Sequence, residues 1–165
     1  MKLIKLLKFV ALVAVVSLLP HFGGAEQIGR SGKTTIHSSY KGVGNVSNVA
    51  ENRMLWGGIY WGHSFNDAGS GFLHDVAWNC PAAADIASSQ VTFKGYCTLT
   101  DADGDKIFGD WSGGGPLTGE IKGNLKMTGG TGKYSGIKGG LDFQCKGVGT
   151  DDQLSCKQQI SYELP

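Results

Sequence analysis

The chain has 165 residues, of which 41% are hydrophobic and 18% charged, and its formal net charge at pH 7 is +1. A chain of this length is typical of a single domain. Its basic residues are scattered among acidic ones after the N-terminal segment and form no basic patch, which argues against a nucleic-acid-binding protein.

Residues 1–25 have the pattern of a secretory signal peptide. Three lysines precede a short apolar run at residues 9–19, and small residues lie just before a cleavage point expected after Ala25. The run is short for a membrane span, so an uncleaved N-terminal anchor is the less favoured alternative. Cleavage leaves one domain, residues 26–165, with no membrane span and with export to the periplasm or the medium as its expected fate.

Short strands dominate the predicted elements of this domain. Several of them alternate apolar and polar residues, as antiparallel strands with one solvated face do. The best helix candidate is Pro81–Ser89. In chain order the strand segments are KTTIHSSYK, RMLWGGIYWGH, GFLHDVAWNC, VTFKGYCTL, DKIFGDWS, EIKGNLKMT, LDFQCKG and LSCKQQISYE.

These segments predict an all-β protein with about eight strands and short helical turns, folded as a barrel or a sandwich. The polar faces carry lysine, glutamate, glutamine and aspartate, which favours a soluble barrel over one in an outer membrane. The second segment is different, because Trp56 and Tyr60 lie on one face while Ile59 and Trp61 lie on the other. We therefore expect both faces to be covered, the outer one by a terminal segment or by another subunit, which makes a homo-oligomer a hypothesis.

Four cysteines lie in the exported domain, at positions 80, 97, 145 and 156. An even number in an oxidising compartment favours disulfides, and the absence of a Cys-x-x-Cys pair disfavours zinc and thiol-redox sites. Each cysteine shares a face with apolar neighbours on its strand. The strand order then predicts the pairs Cys80–Cys97 and Cys145–Cys156.

The segment MTGGTGKYSGIKGG, Met127–Gly140, contains a Gly-Lys pair that is also found in phosphate-binding loops. Such a loop needs glycine where Met127 stands, serine or threonine where Tyr134 stands, and a helix directly afterwards. None of these conditions holds, so no nucleotide cofactor is predicted. We expect the glycines to form a tight reversal, Tyr134 and Ile137 to close the barrel, and Lys133 to point to solvent.

The segment DADGD, Asp101–Asp105, resembles the start of a calcium loop. An EF-hand would have glycine at the sixth position and glutamate at the twelfth, where this chain has Lys106 and Ser112. The Asp-Gly pair between two strands favours a hairpin turn. No metal site is predicted, and calcium binding here stays an open alternative.

The exported domain has three histidines, His37, His63 and His74. His74 shares a strand face with Phe72 and Trp78, whereas Asp75 points the other way, so adjacent residues do not make a His-Asp relay. A polar role in a partly filled lumen is the favoured interpretation of His74.

The residues of Met127–Gly140 resemble the Gly-Gly-Thr-Gly-Lys-Tyr/Phe-x-Gly-x-x-Gly segment of the allene oxide cyclase and dirigent barrels. CTLTDADGDKIFGDW and DFQCKG…SCK are similar to bacterial exported proteins of that barrel class. The resemblance covers Tyr96–Cys156. It implies a single eight-stranded antiparallel β-barrel with an apolar lumen, trimeric in plant members, and it assigns no catalytic residue to this chain.

The leading functional hypothesis is an exported, non-enzymatic barrel that binds a small apolar or amphipathic ligand in its lumen. The many glycines are expected to leave lumen space, although a filled lumen without a ligand is also possible. The alternatives are a cyclase or isomerase that uses His63 or His74 as proton handler, and an interaction protein. The candidate ligand-binding residues are Trp56, Trp61, His63, His74, Trp78 and Phe93.

Overall fold

The computed structural model describes residues 28–149 and 152–165; the expected signal peptide, residues 1–25, lies outside them. Eight strands form a closed antiparallel barrel in which each strand pairs with the next and the last pairs with the first, as the sequence predicts. A 3-10 turn, Gly132–Tyr134, precedes the seventh strand. The strands are β1 (Ser31–Ala50), β2 (Arg53–Asn66), β3 (Val76–Ala87), β4 (Gln90–Thr100), β5 (Lys106–Pro116), β6 (Ile121–Gly130), β7 (Lys138–Val148) and β8 (Gln153–Glu163).

The helix predicted at Pro81–Ser89 is wrong, because most of this segment belongs to β3. Its alanines pair with β2 on one side and β4 on the other, for example Ala84 with Trp56 and Phe93. Backbone pairing along both edges outweighs the helix propensity of alanine. Ser88 and Ser89, both at positive φ, then form the tight turn into β4. In the described part of the chain no helix is long and apolar enough to cross a membrane.

Both predicted disulfides are confirmed, and both lie inside the barrel. Cys80–Cys97 joins β3 to β4, and Cys145–Cys156 joins β7 to β8, each with a Cα–Cα distance of 4.1 Å. All four residues are at most 6% exposed. Each bond closes a short loop and typically stabilises a protein by about 3 kcal/mol, because it restricts the unfolded chain.

Aromatic rings fill the space that glycines leave on the inner wall. The indole of Trp56 lies against Gly44 and Gly58, where an added Cβ would come within 2.6 Å of the ring. Tyr40 covers Gly62 in the same way. The expectation that glycines leave open lumen space is therefore wrong at these positions, because neighbouring strands supply the missing volume.

One end of the barrel, here called the closed end, is sealed by the loop between β2 and β3. The segment GFLHDVAWNC becomes a strand only at Val76; before it, Phe72 and Leu73 are buried at the closed end. The Ser64 hydroxyl donates to the Leu73 carbonyl and the Asn66 side-chain amide donates to that of Phe72. The opposite end, here called the wide end, carries the short β1–β2, β3–β4, β5–β6 and β7–β8 turns.

At the closed end, Asp101–Asp105 and the glycine-rich segment form one structure. Asp101–Asp105 is a turn in which the Asp101 carboxylate accepts from the amides of Asp103 and Asp105. The Lys133 ammonium lies 2.7 Å from Asp101 Oδ2 and 2.5 Å from Asp103 Oδ2. The sequence predicts that Lys133 points to solvent. In the structure its ammonium instead supplies the counter-charge for the aspartates of the Asp101–Asp105 turn.

Two other features hold these turns together. Asp105 accepts a hydrogen bond from the Lys133 amide at 3.1 Å, and its carboxylate occupies the place of a Cβ at Gly132, which has a φ of +51°. Tyr134 and Ile137 are each 3% exposed and help to close the barrel, as expected.

Among residues 28–149 and 152–165 no group of three or more histidine, cysteine, aspartate or glutamate side chains is arranged to hold a metal ion.

The pKa of Asp101 shows how these charges balance. Burial alone would raise it, but hydrogen bonds from Lys133 and Tyr134 outweigh the burial and hold the pKa below its usual value. The native state thus holds fewer protons than the unfolded state at low pH. This part of the stability is present above about pH 4 and is lost as the pH falls through the native pKa.

We expect Lys133→Met to lower the free energy of unfolding by about 1–3 kcal/mol, because it leaves the buried Asp101 carboxylate without its cation. Urea unfolding at pH 7 measures this change. The matched control is Lys122→Met, since Lys122 forms an exposed pair with Glu120 and should cost less than about 0.5 kcal/mol. Equal losses in the two variants would contradict the structural role of Lys133.

Candidate functional site

A cavity of about 80 Å³ lies inside the barrel at the level of the two disulfides. Its wall is almost entirely apolar and consists of side chains from all eight strands. Aliphatic residues and the four cysteines contribute to it, and six aromatic residues surround most of the space. These six are Tyr40, Tyr60, Trp78, Phe93, Trp111 and Phe143.

The register between neighbouring strands determines where the aromatic residues of this wall lie. Phe93 pairs with Ala84 on β3 and Gly113 on β5, and Trp111 pairs with Gly95 on β4. Small neighbours let the two rings stack with their centroids 6.1 Å apart. Phe143 meets the Trp111 ring edge-on at 6.0 Å. The wall is a connected aromatic surface, which is a rigid lining for an apolar ligand.

Most buried polar groups next to the cavity satisfy one another. The Ser38 hydroxyl donates to Gln158 Oε1 at 2.6 Å, and Gln158 Nε2 donates to the Tyr40 hydroxyl at 3.0 Å. Trp78 Nε1 donates to the Ser64 hydroxyl at 2.9 Å. These bonds fix the orientation of Tyr40 and Trp78 and leave both rings facing the cavity.

Trp111 is the exception. Its indole nitrogen is buried, and no described residue accepts a hydrogen bond from it. An indole N–H is a donor only, and leaving such a group unpaired costs about 1–3 kcal/mol. The ring itself lines the cavity. A bound oxygen acceptor next to the indole would remove this cost.

The cavity wall is uncharged at neutral pH. Burial, together with the negative charge of Asp152, raises the pKa of Tyr60 to about 12. Burial also holds the pKa of Tyr40 well above its usual range, although hydrogen bonds with Ser38 and Gln158 partly oppose this. The described lining contains no histidine, carboxylate, amine or guanidinium group. The wall therefore offers hydroxyl, amide and indole groups but no charge.

The structure brings together some of the residues predicted from the sequence. Trp78 and Phe93 line the cavity, and Trp56 lies beside it, its ring centroid 5.1 Å from that of Tyr60. Trp61 is 51% exposed on the outer face of β2. No described residue of this chain covers Trp61, so the expected cover by a terminal segment or by another subunit stays a prediction.

The two candidate histidines lie away from the cavity. His63 is exposed, with its Nε2 atom 2.6 Å from Asp75 Oδ1, so Asp75 pairs with His63 rather than with its neighbour His74. His74 lies in the loop at the closed end, where its Nδ1 accepts a hydrogen bond from the backbone N–H of Asn66 at 3.3 Å. The arrangement gives neither imidazole access to the cavity wall.

Sequence reasoning missed Trp111, Tyr60, Tyr40 and Gln158 as lining residues. The alternation did carry a signal for two of them: Trp111 follows Ile107 and Gly109 at every second position, and Gln158 stands between Cys156 and Ile160 on the inner face of β8. Gln158 is 3% exposed. A polar residue on an otherwise apolar face is the informative observation, because it must find partners inside.

Comparisons with known proteins support the fold. No protein-family model matches the chain, and no curated protein matches it. The barrel is similar to the structure of the pterocarpan synthase dirigent protein GePTS1, with a TM-score of 0.53 over 91% of this chain and 99% of that one. Sequence identity is 8%. The chain thus has a dirigent-like barrel fold, and at this identity the similarity extends to the fold alone.

We expect Tyr60→Phe to make the protein less sensitive to alkali. The pKa of Tyr60 is higher in the native state than in the unfolded state, so its contribution is complete below about pH 10 and is lost as the pH rises. Between pH 8 and pH 11 the variant should lose about 1 kcal/mol less stability than the wild type in urea unfolding. Tyr96→Phe is the control, because Tyr96 is exposed. The same alkaline loss in Tyr60→Phe and wild type would refute the assignment.

Proposed function

We propose that this chain is an exported barrel that binds a small, uncharged, mostly apolar molecule carrying one oxygen acceptor. The observation that carries the proposal is the buried, unpaired N–H of Trp111 beside an apolar cavity. Ligand sites are commonly apolar pockets with a few polar groups that fix orientation. Of the described side-chain polar atoms that are buried without a hydrogen-bond partner, the Trp111 nitrogen is the one that belongs to a lining residue.

The absence of charge in the described lining argues for a neutral ligand. A carboxylate or ammonium group would lose its hydration on entering and would meet no opposite charge there, which costs several kcal/mol. A neutral carbonyl or ether oxygen loses much less. It could accept the hydrogen bond from Trp111 while the remainder of the ligand contacts the rings of Phe93 and Phe143.

The volume limits the ligand to a compact one. About 80 Å³ of free space is about half of a cavity that holds benzene and well below the 300–1,000 Å³ typical of drug-sized sites. It therefore admits a small group of a ligand, and the ring of an aromatic ligand extends towards the open side of the cavity. The route of entry is the wide end, where Trp56, Ile121 and Leu154 are only partly buried. A longer ligand would leave its remainder at this rim.

Export is supported by the two disulfides, which persist in oxidising compartments, and by the signal-peptide pattern of residues 1–25. We place the protein in the periplasm or the medium. The isomerase alternative receives less support, because His63 and His74 lie away from the wall and the raised pKa of Tyr60 makes it a weak proton donor near pH 7.

Acetophenone and ethylbenzene form a matched pair of probes, since they have similar shape and differ in one carbonyl oxygen. On binding, acetophenone should shift the Trp111 indole N–H resonance downfield, whereas ethylbenzene should not. Trp111→Phe should weaken acetophenone binding about tenfold and ethylbenzene binding less than about twofold. Titrations followed by nuclear magnetic resonance measure both effects.

Trp78→Phe is the matched control, because the indole of Trp78 already donates to Ser64. It should affect both probes equally. If neither probe binds, lumen binding is refuted. If both bind and Trp111→Phe weakens them to the same extent, the cavity binds ligands but the acceptor role of Trp111 is wrong.

A further inference from the structure

A groove of about 560 Å³ crosses the outer face of the barrel over β3, β4, β5 and β6. Its volume is several times that of the cavity inside the barrel and lies within the 300–1,000 Å³ typical of small-molecule sites. Trp111 is the residue that lines both spaces. The groove, here called the outer groove, is defined by the outward side chains of Pro81, Lys94, Tyr96, Asp110, Ser112 and Asn124.

The apolar part of the outer groove is centred on Tyr96. Its side chain is 70% exposed, which is the highest value among the large hydrophobic side chains of the described residues. The pairs Asn79–Thr98 and Ala82–Gly95 place Pro81 opposite Tyr96, so the neighbour of the ring across the strand is short. An exposed ring beside a short apolar side chain offers a ligand a flat apolar surface with a hydroxyl at one edge.

Four polar side chains flank this ring. Lys94 lies opposite Ser112, and Asp110 lies opposite Tyr96, so Lys94 and Asp110 are diagonal neighbours on the same face. Long side chains in such positions can reach each other. Nevertheless, none of the four has a hydrogen bond or an ion pair with another residue in the part of the chain that the structure describes. The outer groove therefore has unpaired donors and acceptors around one aromatic ring.

This combination matches the chemistry of a sugar. The ammonium group donates hydrogen bonds, the carboxylate accepts them, and the hydroxyl and the carboxamide do both. Sugar hydroxyls also donate and accept, while the C–H groups of a sugar ring form an apolar face that can lie on an aromatic ring. We propose that the outer groove binds a neutral saccharide, with one sugar ring on Tyr96 and its hydroxyls bonded to Lys94 and Asp110. This goes beyond the proposed function, which concerns the cavity inside the barrel.

Other classes of ligand match the outer groove less well. A ligand of one charge would meet its own sign at Lys94 or at Asp110, and a purely apolar ligand would bury both groups without partners. Nucleic acid requires a surplus of positive charge, whereas these two charges cancel. An added peptide strand needs an open strand edge, but β4 and β5 each lie between two strands of the closed barrel. A zwitterion would satisfy both charges, and it is therefore an arm of the test.

Titration with neutral tetrasaccharides tests the proposal. Cellotetraose, maltotetraose and tetra-N-acetylchitotetraose are each added to protein produced from the full-length sequence, and nuclear magnetic resonance records the shifts of Tyr96 and Gly95. At least one sugar should bind with a Kd below about 10 mM. Tyr96→Ala should weaken its binding at least about tenfold, and Asp110→Asn at least about threefold. The matched control is Phe65→Ala, which removes a ring that is 50% exposed outside the outer groove and should change binding less than about twofold.

Three outcomes overturn the proposal. The first is that none of the three sugars binds. The second is that Tyr96→Ala binds the sugar as tightly as the wild type, and near-ultraviolet circular dichroism verifies that this exposed substitution leaves the fold intact. The third is that free phenylalanine, a zwitterion, or tetragalacturonate, an anion, binds more tightly than every neutral sugar. Tyr96 does not line the cavity inside the barrel, so these outcomes are distinct from success or failure of the acetophenone titration.

Discussion

The rest of the structure depends on how the interior of the barrel is filled. An eight-stranded barrel encloses a space just wide enough for inward side chains, so large residues are tolerated only where small ones face them. In this chain the small residues are glycines, and Trp56 and Tyr40 lie across them. The glycines therefore make room for the aromatic side chains that fill the barrel. The small cavity is the space left between these rings.

The two ends of the barrel differ because the chain closes only one of them. Phe72 and Leu73 occupy the closed end, and the Lys133 ammonium joins the Asp101–Asp105 turn to the glycine-rich segment beside it. The wide end has short turns and no comparable plug in the described residues. This asymmetry directs any ligand of the cavity to one entrance.

Much of the fold could be predicted because the alternation is regular. The inward positions of β4, β6, β7 and β8, and those of Val76, Trp78 and Cys80 at the start of β3, can be read directly, and they identified both disulfides. The helix error at Pro81–Ser89 arose because alanine propensity is local, whereas this segment also pairs with β2, whose residues lie more than twenty positions earlier in the chain. Lys133 was misplaced for the same reason, because its aspartate partners lie about 30 residues earlier.

The site was harder to predict than the fold. Alternation says that Phe93 and Trp78 point inwards, but it does not say which rings surround free space. That depends on the neighbour across the strand, such as Gly95 beside Trp111. The positions of His63 and His74 could not be predicted either, because they depend on the loop conformation around Leu73 and Asp75, which both adopt positive φ.

The positions of the disulfides have a consequence for the cavity itself. One lies between β3 and β4 and the other between β7 and β8, which are opposite sides of an eight-strand circuit. Both line the cavity. Adjacent strands cannot separate or slide at these two disulfides, so the circumference of the barrel is covalently limited at the level of the cavity. If the cavity binds a ligand, the fixed internal diameter of the barrel would limit the size of that ligand. Reduction of the two disulfides would remove this limit.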